Sequence, residues 1–308
     1  MVVYMNKRRG LMFVVFTALV SGFSVFVNKF GVSGIDSSIF TFSKNVIVAL
    51  FLFGSIVLVK DFGKLKELTL KQWRRLVLIG FVGGSIPFLL FFKGLQLSTG
   101  AAGSFIHKTM FVYVIVLARV FLRERLDKRI LISGVLLLVG NGLLLKFVWN
   151  GFGVGELMIL IATLFWAVEN VVSKHLLKEL EPKVVGFGRM FFGSMFILVY
   201  LGFTKQIGTV FSLSLSQVYW ILLTSGFLFL YVFSWYNGLR DVKVTTATSV
   251  LLLGSPITTL LSYLFLGSTL SLVQAVGILL VVGGVVSVVM VGELGIKDKL
   301  FLVRRVKV

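Results

Sequence analysis

Apolar runs of membrane-crossing length, about 20 residues each, recur along the whole chain and are separated only by short polar breaks. Inside hydrocarbon every backbone N–H and C=O must be satisfied within its own segment. A chain written this way is therefore restricted to a helical bundle. The breaks predict ten transmembrane helices, at 10–30, 37–59, 75–96, 98–121, 129–149, 153–177, 184–203, 216–238, 243–266 and 271–291. The expected fold class is all-α integral membrane. A mean hydropathy of +1.02 and a hydrophobic content of 57% exclude an ordinary soluble domain. The first run follows the basic start MVVYMNKRRG but is too long for a signal peptide, and it reads as a retained membrane helix.

The net charge of +19 would point to nucleic acid in a soluble protein. Here the cations fall in alternate breaks. Lys7, Arg8 and Arg9 precede the first span. Lys60, Lys64, Lys66, Lys71, Arg74 and Arg75 lie between the second and third. Arg119, Arg123, Arg125, Lys128 and Arg129 surround the 4/5 turn, and Lys174, Lys178 and Lys183 the 6/7 turn. Arg240 and Lys243 mark the 8/9 turn, and Lys297, Lys299, Arg304, Arg305 and Lys307 follow the last span. The opposite connections carry almost none, so the positive-inside rule places both termini in the cytoplasm of a multi-pass cell-membrane protein. Membrane lipids, not nucleic acid, are the expected partners.

The chain also repeats itself at an offset of about 145 residues. Lys29 pairs with Lys174, and FSKN with Lys44 pairs with FGRM and Arg189. FKGL pairs with YNGL, GAAGS with VTTATS, and Phe121-Leu122 with Phe265-Leu266. The halves are residues 1–149 and 150–295, followed by a basic tail at 296–308. Five spans per half is an odd number, so the second copy enters the membrane from the other side. Two inverted five-helix repeats are the usual plan of a secondary transporter, with its site between the halves.

These features resemble the drug/metabolite transporter superfamily, in particular proteins with two EamA domains. The resemblance is carried by VYVIVLARVFLRERLDKRILISGVLLLVGNGLLL (112–145) and SPITTLLSYLFLGSTLSLVQAVGILLVVGGVVSVV (255–289). The family pattern runs from a proline through an apolar stretch to a glutamate-bearing turn and a glycine-punctuated helix. Glu124 fills the glutamate position in the first half, where Ser268 stands in the second. Pro256 fills the proline position in the second half, where Val112 stands in the first. The resemblance implies movement of small metabolites, often export, by alternating access.

Several intramembrane residues are candidates for a site. The stretch Ser98–Phe121 has the length of one spanning helix and carries His107 and Lys108 near its middle, beside the small residues Gly100, Gly103 and Ser104. Charge at that depth normally faces a protein interior or a watered cavity. Thr17, Ser21, Ser24 and Asn28 form a polar stripe on the first span. The repeat-related positions are Ala162, Trp166, Glu169 and Ser173, so that face gains a stacking ring and a carboxylate for a cationic group or a coupling proton. The alternatives are that the hydroxyls join helices and that Glu169 pairs with Lys174 or Arg189. Lys44 and Arg189 are repeat-related cations that attract a carboxylate or phosphate if they face a cavity, or that snorkel to an interface if they do not. Thr245, Thr248, Ser249 and Pro256 share one face of the ninth span. Pro256, and Pro87 with Gly83 and Gly84, are candidate gating bends. Trp235, Tyr236 and Asn237 read as an aromatic belt, and Lys93 and Lys146 as interfacial anchors.

No metal and no cofactor is expected. The chain has no cysteine, its two histidines lack nearby carboxylates, and no phosphate-binding loop is present. The reading is a secondary transporter, not an enzyme, for a small polar metabolite such as an amino acid or organic acid. A lipid-linked sugar flippase of the same superfamily is the nearest alternative, and a membrane-embedded lipid-modifying enzyme is an alternative of another class.

Overall fold

The computed structural model describes residues 6–31, 34–59, 62–124, 127–146 and 151–293, and their regular structure is entirely helical. Lys60, Arg125, Asn150 and the tail 296–308 lie outside the described residues, as do the side chains of Lys29 and Lys64. The first repeat comprises α1 (Lys7–Gly31), α2 (Ser37–Leu58), a short α3 (Phe62–Lys66), α4 (Leu70–Gly84), α5 (Ile86–Gln96), α6 (Gly100–Lys108), α7 (Met110–Phe121) and α8 (Lys128–Leu144). The second comprises α9 (Val154–Leu176), α10 (Pro182–Phe203), a single turn α11 (Ile207–Val210), α12 (Leu215–Asp241), α13 (Val244–Val250), a tight turn Leu251–Leu253, α14 (Gly254–Leu266) and α15 (Leu272–Gly292).

Among the described residues nine spans are long and apolar enough to cross a bilayer: α1, α2, α4–α5, α6–α7, α9, α10, α12, α13–α14 and α15. The expected fifth span is described over only the 17 residues of α8. It runs antiparallel against α15. Ser133 Oγ donates to Ser287 Oγ at 2.7 Å near one end, and Gln274 Nε2 donates to the Leu144 carbonyl at 3.2 Å near the other. The periphery is apolar, with Leu50, Val199, Leu222, Ile132 and Leu279 all exposed. The interior holds a cluster of buried apolar residues, among them Leu52, Leu76, Phe111, Met190 and Val232, and packed small residues and inward-facing polar groups join the helices around it.

Three spans are broken, and each break has a local cause. Pro87 has no N–H, so α4 stops at Gly84 and α5 restarts beyond Ser85. Pro256 likewise offers no N–H to Leu252, and the chain tightens into the Leu251–Leu253 turn between α13 and α14. The fourth span, expected as one helix, divides at Thr109 without a proline. The Thr109 N–H is shared between Phe105 and Ile106, Val112 N–H turns to the Thr109 carbonyl at 2.9 Å, and Thr109 Oγ1 takes the Ile106 carbonyl at 2.6 Å. The hydroxyl and the tightened turn together replace the regular ladder directly after Lys108.

The repeats approach closely where α4 crosses α9 and α10. A Cβ on Gly193 would stand 2.6 Å from the Gly84 carbonyl oxygen. One on Gly84 would overlap the Arg189 carbonyl oxygen, and one on Gly83 would overlap Glu169 Cγ. Glycine is required at 84 and 193 because backbone meets backbone, and at 83 because the Glu169 side chain fills the space. Gly84→Ala is therefore expected to destabilise the fold by about 1–3 kcal/mol, measured as a lower thermal midpoint in detergent. Gly54→Ala, at a helical glycine with open space around it, should leave that midpoint unchanged or raise it.

Candidate functional site: a cavity between the repeats

A cavity of about 1260 Å³ lies between the repeats. Its wall draws on α1, α2, α5, α6, α9, α10, α12 and α14. It reaches from the middle of the bundle to the end opposite the N-terminus, where the lining includes Gln96, Lys146 and the turn residues Ser268, Thr269 and Leu270. Ser24, Asn28, Lys44, His107, Lys108, Trp166, Glu169, Arg189 and Thr248 all line it. Thr17 does not; it is buried, and its hydroxyl meets Ser234 Oγ at 2.8 Å as a link between α1 and α12.

The break at Pro87 builds the inner wall. Without a proline N–H, the Gly83 carbonyl has no helical partner, and it accepts from Trp166 Nε1 at 3.1 Å and Arg189 Nη2 at 3.2 Å. The Phe88 N–H turns to Ser85, so the Gly84 carbonyl is also released, and it accepts from Asn45 Nδ2 at 2.9 Å. Three helices thus send a polar side chain to one bend. Trp166 also meets His107 and Phe91 edge to face, at ring separations of 4.9 and 5.3 Å. The site has an aromatic wall whose orientation is set by a hydrogen bond at one edge.

The charged groups are held as follows. Arg189 and Lys44 are 7% and 8% exposed, so neither snorkels. Lys44 Nζ lies over the Phe40 ring at 4.7 Å and 3.4 Å from Asn28 Oδ1, and Asn28 is in turn bound to Ser24 Oγ at 3.3 Å. Glu169 is 1% exposed and pairs with neither Lys174 nor Arg189 by direct contact. Its Oε1 accepts from Ser173 Oγ and Tyr236 OH, each at 2.6 Å. Lys174 instead gives its ammonium to the carbonyls of Leu239, Arg240 and Val242, at 2.6–3.0 Å, at the C-terminal end of α12. Among the described residues Lys108 has no hydrogen bond or ion pair.

Trp235 and Tyr236 do not form an interfacial belt. Both are fully enclosed, with Trp235 Nε1 donating to Asn170 Oδ1 at 3.1 Å and Tyr236 holding Glu169. A belt and a cavity wall share one sequence signature, an aromatic pair with a polar edge, and the difference appears only when the helix's rotation is known. Asn45, Asn170 and Tyr231 were likewise not among the expected site residues, although the two amides directly follow Lys44 and Glu169 and are costly inside hydrocarbon. Lys146 lies at the cavity mouth.

The sequence as a whole matches the EamA-like transporter family twice, over residues 8–146 and 153–290. The chain belongs to that family. It is 22% identical over 239 residues to "Uncharacterized transporter YyaM" of Bacillus subtilis (strain 168), covering 75% of this chain and 78% of the relative. It is 25% identical over 254 residues to an "Uncharacterized transporter" of Clostridium kluyveri, covering 78% and 81%. A crystal structure matches it with a TM-score of 0.76 at 16% identity, over 94% of this chain and 99% of the other, which shows a shared fold. The family and the spans together make this protein a multi-pass membrane transporter with a two-repeat architecture.

Tyr236→Phe removes one of the two donors to a buried carboxylate while keeping the ring. The expected loss is on the order of 1 kcal/mol of stability, read as a lower thermal midpoint, whereas Tyr219→Phe, at an exposed ring, should have no effect.

Proposed function

We propose that this EamA-family protein is a secondary transporter for a small anionic or zwitterionic metabolite, with the cavity as its binding site. One observation carries the reading. Among the described residues four buried polar atoms on the cavity wall have no partner: Asn45 Oδ1, His107 Nδ1, Arg189 Nε and Ser255 Oγ. Buried polar groups are otherwise almost always paired, and these belong to side chains that line a space large enough for a metabolite. A turn of those side chains toward the cavity would offer acceptors and donors to a bound molecule from both repeats.

Charge narrows the class. Lys44, Lys108 and Arg189 face the cavity against one carboxylate, Glu169. The excess favours a carboxylate or phosphate on the solute, and Glu169 adds a counterpart for an ammonium or a coupling proton. Phe88, Phe91 and Trp166 give an apolar part of the solute a surface to lie against. Ten spans in two inverted five-helix repeats, with α8 as the shortest, would place both termini and the basic connections in the cytoplasm of a cell-membrane protein. The cavity would then open outward and serve export by alternating access, with the bends at Pro87 and Pro256 as hinges.

The test is a thermal-shift screen of the purified protein with amino acids, organic acids, sugar phosphates and nucleosides, followed by counterflow in proteoliposomes. A ligand that binds only the folded state raises the midpoint by mass action, by about 2.7 kcal/mol of stability at a hundredfold excess over Kd. Lys108→Ala and Arg189→Ala are each expected to insert normally, lose the anion-dependent shift and abolish flux. Full flux in Lys108→Ala removes that residue from the site. A shift from lipid-linked sugars alone overturns the soluble-metabolite reading in favour of a flippase.

A further inference from the structure

At the end of the bundle that carries the N-terminus the cavity is shut, and the closure is built from carboxylates. The turn between α12 and α13 is bound from three directions. Glu124, beyond the end of α7, accepts from the Val244 N–H at 2.9 Å and from Thr245 Oγ1 at 2.7 Å. Glu293, beyond the end of α15, accepts from the Lys243 N–H at 2.8 Å. Lys174 of α9 takes the three carbonyls on the other side of the turn. The first N–H groups of α13 have no helical acceptors, and two anions supply them.

The turn that presents Glu124 occurs twice. Arg123 takes a left-handed backbone at φ 55°, and Glu124 N–H reaches back to the Ala118 carbonyl at 3.2 Å. In the second repeat Gly267 takes φ 62°, and Ser268 N–H reaches back six residues in the same way, to the Ser262 carbonyl at 3.4 Å. Arg123 and Gly267 stand 144 residues apart, as do Glu124 and Ser268. The scaffold is the same and the side chain differs. A left-handed arginine is an uncommon choice that the first turn maintains. The helix starts follow suit, since α6 opens after Thr99 and α13 after Lys243, again 144 residues apart. Yet α13 packs directly on α7 at the closed end. At the mouth, Ser268 is exposed in the cavity lining and the start of α6 is capped by Thr99 Oγ1 at Ala102 N–H instead.

We propose that Glu124, supported by Glu293, is a latch that keeps the end carrying the N-terminus closed, and that its replacement by Ser268 in the second repeat leaves the mouth without an equivalent latch. The protein then rests open at the mouth, and passage of substrate requires release of Glu124 from the start of α13. This inference rests on the alternating-access reading above.

The chain has no cysteine, so single cysteines report accessibility directly. Thr259→Cys lines the mouth side of the cavity, and Ser249→Cys is buried behind the latch. Each is labelled in vesicles with a membrane-impermeant maleimide applied from either side. In the otherwise unchanged protein, Thr259→Cys is expected to label from the mouth and Ser249→Cys to resist labelling from the basic side. Glu124→Ser should raise Ser249→Cys labelling and lower Thr259→Cys labelling. Ser268→Glu, at an exposed position that disturbs no existing contact, should lower Thr259→Cys labelling even where Glu124→Ser folds in poor yield. The expected change is roughly tenfold in the ratio of the two labelling rates, within the range one charge-assisted hydrogen bond can produce. Unchanged labelling in both variants of a protein that still performs counterflow overturns the latch and leaves the transport reading standing. No counterflow, together with Ser249→Cys that never labels in any variant, overturns alternating access itself.

Discussion

The Gly83 carbonyl, deprived of a helical partner by Pro87, is the point on which the site depends. An unpaired carbonyl inside a membrane protein costs several kcal/mol. The bend between α4 and α5 therefore exists only if another helix supplies a donor. Trp166 and Arg189 supply two, and Asn45 satisfies the adjacent Gly84 carbonyl. Each of these contacts fixes the rotation of the helix that makes it. α2, α9 and α10 are thereby turned so that Lys44, Glu169 and Arg189 line the same space. A backbone defect in one repeat orients the side chains of the other.

Close approach is the second condition. The donors reach α4 because Gly84 and Gly193 let helix backbones touch and Gly83 leaves room for the Glu169 side chain. Larger residues would move α9 and α10 outward and take the donors out of hydrogen-bond range. Packing and polarity are therefore not separate contributions here. The small residues give the polar contacts their distance, and the polar contacts give the small-residue seam its register.

Much of this was legible in the sequence, and the boundary is instructive. The spans, the basic end and the duplication depend on composition and spacing, which do not require knowing how helices face one another. Lys44, Glu169 and Arg189 were legible for the same reason, since charge in hydrocarbon is conspicuous whatever its surroundings. What could not be read was rotation. Tyr236 looked like an interfacial ring and is instead a donor to Glu169, because one helix turned through a fraction of a circle exchanges lipid for the bundle interior. Nor could the division of the fourth span be read. Its cause is a threonine hydroxyl competing with the ladder at Thr109, and most helical threonines do so without breaking anything. Pro87 was readable as a bend, but not the identity of the donors that the bend would attract.

That division at Thr109 resolves a difficulty about Lys108. An ammonium in mid-membrane without a carboxylate partner should not persist. By ending α6 at Lys108, the break places His107 and Lys108 in the last turn of a helix, the end at which the helix dipole is negative and a cation is favoured. A continuous helix would have left that charge distributed and Lys108 beside neutral backbone. The repeat-related break, between α13 and α14, carries Leu251 and Leu252 at the positions offset from His107 and Lys108 by 144. The two halves thus share the discontinuity but not the cation. The second half contributes its positive charge from Arg189 on α10 instead, held by a carbonyl that Pro87 released. Arg189 is thus held by a backbone carbonyl freed at a helix break, while Lys108 lies at the negative end of α6. Among the described residues neither is neutralised by direct pairing with a carboxylate.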